Sequence, residues 1–191
     1  NYQRVKLYGG LPLVGKSCFD SDCKAYPFLA VNYITAPPRM ALYMAYSRRV
    51  YEVYLEFVSK EDIHVYSVDE VFMDLKPYER IYQKSSRALA EEICRRVYEE
   101  VGMIATVGLG ENLYLAKVAM DIEAKHMQAS KEGIRLAMLT EQSYRESLWQ
   151  HKPLHDFWRI GQGIENRLAY YGIYTMGAVS YTHLTLPTNR E

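Results

Sequence analysis

Asp69 and Glu70 stand side by side between two β-prone apolar runs, His64-Val65-Tyr66-Ser67-Val68 and Val71-Phe72-Met73-Asp74-Leu75. Neighbouring carboxylates in a partly buried place raise each other's pKa unless a cation compensates, so the pair is costly to keep without a purpose. On a tight turn joining two strands, both would project toward one sheet edge as hard oxygen ligands suited to Mg²⁺. A pair of such ions serves in-line phosphoryl displacement. A solvated Asp-Glu turn is the plainer alternative, because one acidic dipeptide is a weak signal.

A second chemical candidate is Ile160-Gly161-Gln162-Gly163-Ile164-Glu165-Asn166-Arg167-Leu168. A Gly-x-Gly turn that opens a helix exposes backbone N–H groups, a ready seat for phosphate. With helices on both sides it fits a helix-hairpin-helix that grips the nucleic-acid backbone without reading sequence. A turn using its glycines for close helix packing is the alternative. Gly108-Leu109-Gly110 reads as a tight strand-to-helix turn, since Leu113 occupies the third position of a dinucleotide fingerprint. His151 and His155 lack further suitably spaced zinc ligands, and His64 and His126 read as structural or surface residues. Cys18, Cys23 and Cys94 are odd in number and lack two-residue spacing, which fits reduced thiols in a cytoplasmic protein.

These groups need elements to hold them. The chain has 191 residues, 49% hydrophobic, with 23 basic residues against 23 acidic ones. That excludes a disordered or supercharged chain, and no apolar run is long enough for a membrane span. Any basic surface must be local. Residues 1–38 are punctuated by Gly9-Gly10, Leu11-Pro12, Tyr26-Pro27 and Pro37-Pro38, so no long helix fits. Arg39 to Lys60 has helical period with an aromatic face of Tyr43, Tyr46, Tyr54 and Phe57, read as packing surface. The two acid-flanking runs predict strands joined by a two-residue turn. Lys84 to Val101 predicts a helix stopped by Gly102, Met103 to Gly108 a strand, and Leu113 to Ala124 a helix with Lys117, Asp121 and Lys125 at four-residue intervals. This order predicts an α+β fold: a mainly antiparallel sheet with helices on one face. After a boundary near Gln128 to Glu132 come a short apolar run at Ile134 to Met138, a helix at Glu141 to Trp149, and two helices within Phe157 to Ala178. Tyr181 to Glu191 carries no helical period and resembles adapter read-through, so it is expected to be a non-native tail.

Together these residues resemble a Y-family, UmuC/DinB-type translesion DNA polymerase over about Ala36 to Val179. Tyr66 to Asp74 matches the family's Ser-(Ile/Leu)-Asp-Glu-Ala-(Tyr/Phe)-Leu-Asp palm motif. Thr106 to Asp121 is similar to its Val-Gly-Ile-Ala-x-Asn-Lys-x-Leu-Ala-Lys-Leu-Ala-Ser-Asp block, and Trp158 to Ala178 to the thumb's helix-hairpin-helix. The resemblance implies an antiparallel palm-type sheet followed by a small all-helical thumb-like domain. It divides the chain into 1–38 as partial fingers or connector, 39–130 as palm, 131–180 as thumb and 181–191 as tail. It implies translesion synthesis with two Mg²⁺ ions, DNA primer-template and deoxynucleoside triphosphates as partners, a sliding clamp for the full-length protein, no membrane, and a cytoplasmic setting. Asp69 would ligate catalytic metal and Glu70 would complete the acidic site. Lys125 would contact the incoming triphosphate, although one extra residue separates it from Asp121. Gly161, Gly163 and Arg167 would hold the DNA backbone, while Ser67 and Lys117 would lie near the site without a fixed role.

The family also needs an Asp on a first palm strand, and nothing in residues 1–38 matches it: Asp20 and Asp22 lie in a Ser/Cys-rich turn. The chain is therefore expected to be an internal palm-thumb fragment that does not extend a primer by itself. Two other readings compete. A palm-fold nucleotidyl transferase such as a diguanylate cyclase would need Gly-Gly where Ser67-Val68 stands, and a non-catalytic DNA-binding module would leave the acids structural. A glycosylase fails because Glu191 is the only carboxylate after Glu165.

Overall fold

A computed structural model describes residues 1–130 and 132–185, in two compact units, Asn1–Met40 and Ala41–Glu191. The first unit contains two short helices, α1 (Tyr2–Leu7) and α2 (Asp20–Ala25), and a two-residue parallel pair, β1 (Lys16–Ser17) with β2 (Ala30–Val31). Arg4 ties it together by donating to the carbonyls of Leu29 at 2.9 Å and Cys23 at 2.7 Å. Both aspartates are occupied locally: Asp22 accepts from the Ser17 hydroxyl at 2.7 Å and Asp20 pairs with Lys24 at 2.6 Å.

Helix α3 (Met40–Leu55) begins at the last residue of the first unit and runs on in the second. Its aromatic face divides: Tyr51, Tyr54 and Phe57 pack against the core, whereas Tyr43 and Tyr46 are exposed. Strands β3 (Ile63–Val65) and β4 (Val71–Met73) pair antiparallel, with His64 opposite Phe72. A short helix that the sequence pattern concealed, α4 (Lys76–Tyr82), begins at a Pro-bearing first turn. Helix α5 (Ser86–Val101) has Ser85 as its cap, the hydroxyl accepting from the Ala88 N–H, and ends at Gly102 with φ 75°. Leu89, Ala90, Ile93, Cys94 and Val97 form its buried stripe.

Strand β5 (Ala105–Gly110) leads into α6 (Leu113–Val118), capped by Asn112. The helix widens into one π turn at Ala119–Glu123 and closes with a 3₁₀ turn at Ala124–His126. Strand β6 (Ile134–Leu139) returns parallel to β5, in register from Ala105 opposite Ile134 to Gly110 opposite Leu139. Helix α7 (Glu141–Leu148) starts on a capping box from Thr140 and Ser143. Helices α8 (Gln162–Tyr170) and α9 (Met176–Thr185) complete the described chain.

The mixed α+β class holds, but the sheet differs from the expected one. Among the described residues there are three separate two-stranded sheets, and only β3–β4 is antiparallel. The helical connection between β5 and β6 is long enough for the crossover that a parallel pair requires, a feature that alternation within a strand does not reveal. Ile134–Leu139, expected to open an all-helical domain, is instead this second strand. Gly108 and Gly110 lie inside β5 rather than in a turn, because α6 packs directly on the strand's backbone there. The Gly161-x-Gly163 segment is not flanked by two α-helices: it follows the 3₁₀ turn Leu154–Asp156, and Gly161 caps α8. Helix α9 runs to Thr185 because nothing in Tyr181-Thr182-His183-Leu184-Thr185 interrupts propagation before Pro187. The rest of the expected tail, residues 186–191, lies outside the described residues.

Strands β4 and β5 do not pair with each other. Both line a cavity of about 160 Å³ with Tyr54, Ile93, Cys94 and Met120. Its walls are apolar enough that burial raises both the Cys94 thiol and the Tyr54 hydroxyl to about 12. All three cysteines are free.

Candidate active site

The acidic pair sits in a five-residue loop, Tyr66 to Glu70, and not in a two-residue turn. The loop is closed by two backbone bonds: the N–H groups of Tyr66 and Ser67 donate to the Glu70 carbonyl at 3.0 and 3.1 Å. This separates the two side chains. Asp69 is exposed, with one oxygen accepting from the Ser67 hydroxyl at 2.7 Å. Glu70 turns inward, and both its oxygens accept from Lys117 Nζ, at 2.9 and 2.8 Å.

Lys117 is 6% exposed. It reaches Asp121 at 3.2 Å on its own helix and lies 5.9 Å from the centre of the Tyr66 ring. Burial pulls its ammonium down, but the hydrogen bonds and charges of Glu70 and Asp121 outweigh that and raise it above its ordinary value. Asp121 in turn accepts from Lys125 at 2.6 Å. The two stand four residues apart, the spacing that brings side chains together along one side of a helix, here where the π turn passes into the 3₁₀ turn. Glu70, Lys117, Asp121 and Lys125 thus form a line of alternating charge.

An aromatic cluster backs the loop. Trp158 donates from Nε1 to the Tyr66 hydroxyl at 3.2 Å and packs within about 6 Å of the Tyr66 and Phe72 rings. Tyr114 adds its ring at 6.5 Å. Phe157, fully buried beside Trp158, anchors this turn in a second core with Leu139, Tyr144, Leu148 and Leu154. Trp158 was not singled out as a site residue, because a lone indole does not disclose that it meets Tyr66, 92 residues away.

Glu70 therefore meets Lys117 directly and Asp69 lines the same cavity as both, whereas Gly161, Gly163 and Arg167 form a separate group on α8. A Cβ added at Gly161 or Gly163 meets nothing within 4 Å, so the glycines are not there for helix packing. Arg167 is exposed and has no ion pair among the described residues. The histidines serve locally: His151 pairs with Asp156 at 2.8 Å and His155 with Glu165.

The carboxylates fit a hard divalent cation in donor chemistry. Asp69 has an oxygen without a partner among the described residues, and Glu70 contributes a second carboxylate. No group of three or more His, Cys, Asp or Glu among the described residues is placed to hold a metal by itself. Such a pair suits Mg²⁺ that also takes substrate phosphates and water.

Residues 23–121 match the model of the impB/mucB/samB family. The chain is 30% identical over 149 residues to DNA polymerase IV 2 of Bacillus subtilis (strain 168), covering 78% of this chain and 34% of that protein. It thus spans about a third of the length of the curated relatives it matches. Its fold is similar to the DinB crystal structure from Sulfolobus solfataricus, with TM-score 0.59 at 22% identity over 86% of this chain and 45% of that one. It is also similar to the insertion ternary complex of Dbh DNA polymerase, with TM-score 0.60 at 23% identity over 96% of this chain and 49% of that one. No helix among the described residues is long and apolar enough to cross a membrane.

Proposed function

The chain belongs to the impB/mucB/samB family of Y-family polymerases, and on that premise we propose that it carries the palm and thumb chemistry of translesion DNA synthesis. The carrying observation is the loop Tyr66 to Glu70, which presents Asp69 outward and fixes Glu70 beside it. The reaction joins a primer 3′ oxygen to the α-phosphorus of a deoxynucleoside triphosphate, with pyrophosphate leaving. Two Mg²⁺ ions, when bound, neutralise the phosphates and lower the pKa of the attacking hydroxyl. Asp69 and Glu70 would hold them. Ser67 steadies Asp69 by donating one hydrogen bond, which leaves the second oxygen available. Lys125, half exposed, would exchange Asp121 for a triphosphate.

In this reading residues 1–38 are partial fingers or connector and 39–130 the palm, extended by β6, with the thumb in the rest of 131–180. Primer-template DNA is the partner of α8, whose first-turn amides and Arg167 take backbone phosphates. A sliding clamp belongs to the whole protein, which acts in the cytoplasm where its DNA is.

Two measurements follow. Mn²⁺ titration watched by electron paramagnetic resonance should show weak binding that Asp69→Asn weakens at least about tenfold; equal binding by both proteins would make the acids a plain turn. Binding to primer-template DNA should be independent of sequence and fall with salt, and Arg167→Ala should reduce the slope of log affinity against log salt by about one. An unchanged slope would remove α8 from the interface.

A further inference from the structure

Lys117 has no part in that chemistry, yet among the described residues it is the one buried side chain with a full charge. Burying an ammonium is costly unless carboxylates surround it, and Lys117 has two. Glu70 gives it both oxygens, at 2.9 and 2.8 Å, and Asp121 lies at 3.2 Å. A divalent cation at Glu70 competes for those oxygens and is repelled by the ammonium that occupies them. Asp121 is shared: it also accepts from Lys125 at 2.6 Å, and Lys125 is the one member of the line that is substantially open to solvent.

We infer that Lys117 is a positioning residue that keeps Glu70 from a divalent cation until a triphosphate draws Lys125 off Asp121. Relieved of one of its two cations, Asp121 takes a larger share of Lys117, and Glu70 is released to the metal. Arrival of the triphosphate and loading of the metal are thereby coupled through four side chains, with no movement of the backbone required. The inference rests on the proposed metal role of Asp69 and Glu70.

The line of alternating charge makes an alternating expectation. In the 191-residue chain, with Mn²⁺ alone as probe and electron paramagnetic resonance as readout, Lys117→Met should tighten binding by at least about fivefold. Lys125→Met, which imitates loss of Lys125 to a triphosphate, should also tighten it. Asp121→Asn, which leaves Lys117 wholly to Glu70, should weaken it. A purely structural role for the line would loosen the site in all three variants, with lowered melting temperatures.

The inference is overturned if Lys117→Met binds Mn²⁺ no more tightly than the parent, or if Lys125→Met and Asp121→Asn shift affinity in the same direction. Should Lys117→Met not fold, the opposition between the other two decides by itself, since Lys125 is half exposed and Asn keeps the shape of Asp121. Asp69→Asn and Glu70→Gln separate the two levels. If neither changes Mn²⁺ binding, the metal site itself is wrong; if both weaken it while the alternation is absent, only the coupling is.

Discussion

Gly108→Ala should strongly destabilise the second unit. A Cβ at Gly108 would stand 1.9 Å from the Ala116 carbonyl oxygen, 2.4 Å from the Met120 N–H nitrogen and 2.9 Å from the Met120 Cβ. Two of these are backbone atoms of the helix that carries Lys117, so no side-chain rotation relieves the clash. Either α6 and its π turn move off β5, or the strand leaves its register with β6. Both outcomes exceed the usual cost of one substitution, and a loss above about 4 kcal/mol is expected against a typical stability of about 5–15 kcal/mol. Gly163→Ala is the control. Its Cβ would meet nothing within 4 Å in the first turn of α8, and helix propensity favours Ala by about 1 kcal/mol. Urea unfolding followed by circular dichroism should separate the two. A Gly108→Ala protein within about 1 kcal/mol of the parent would contradict the close packing of α6 on β5.

Phe157→Ala is the second large effect. The ring is 1% exposed, packs edge-on to Tyr144 at 6.2 Å and to His151 at 5.6 Å, and is the largest fully buried side chain among the described residues. Truncation leaves a cavity between α7 and the turn ahead of α8, at a cost of about 3–5 kcal/mol. The loss should also loosen Trp158, the next residue, from its bond to Tyr66. A lower unfolding midpoint in urea together with a shift in tryptophan emission is the expected pair of signals. A loss below about 1 kcal/mol would mean that the second core does not depend on this ring.

The chemistry was more legible in the sequence than the architecture. Asp69-Glu70 stood out because like charges between apolar runs are expensive, and the four-residue spacing of Lys117, Asp121 and Lys125 already put them along one side of a helix. The partner of Lys117 was not legible, because Glu70 lies 47 residues away and meets it only when the hairpin is set against α6. The extra residue before Lys125 puts it at that four-residue spacing from Asp121, and the two pair at 2.6 Å. Parallel pairing of β5 with β6 was hidden for a related reason: apolar alternation marks a strand without naming its neighbour. Helix α4 was not anticipated, although Pro77 in its first turn favours helix entry. Gly161 and Gly163 were read as a turn between two helices, but the segment ahead of them makes only a 3₁₀ turn.

The central claim is that the loop from Tyr66 to Glu70 holds a divalent cation for nucleotidyl transfer. Replacing Mg²⁺ with Fe²⁺ and adding ascorbate and peroxide produces hydroxyl radicals at the bound ion, which cut the chain beside it. Mass spectrometry of the fragments should locate the cuts within residues 66–70, and Asp69→Asn should remove them. Cleavage elsewhere that persists in Asp69→Asn, or no metal-dependent cleavage at all, would contradict it.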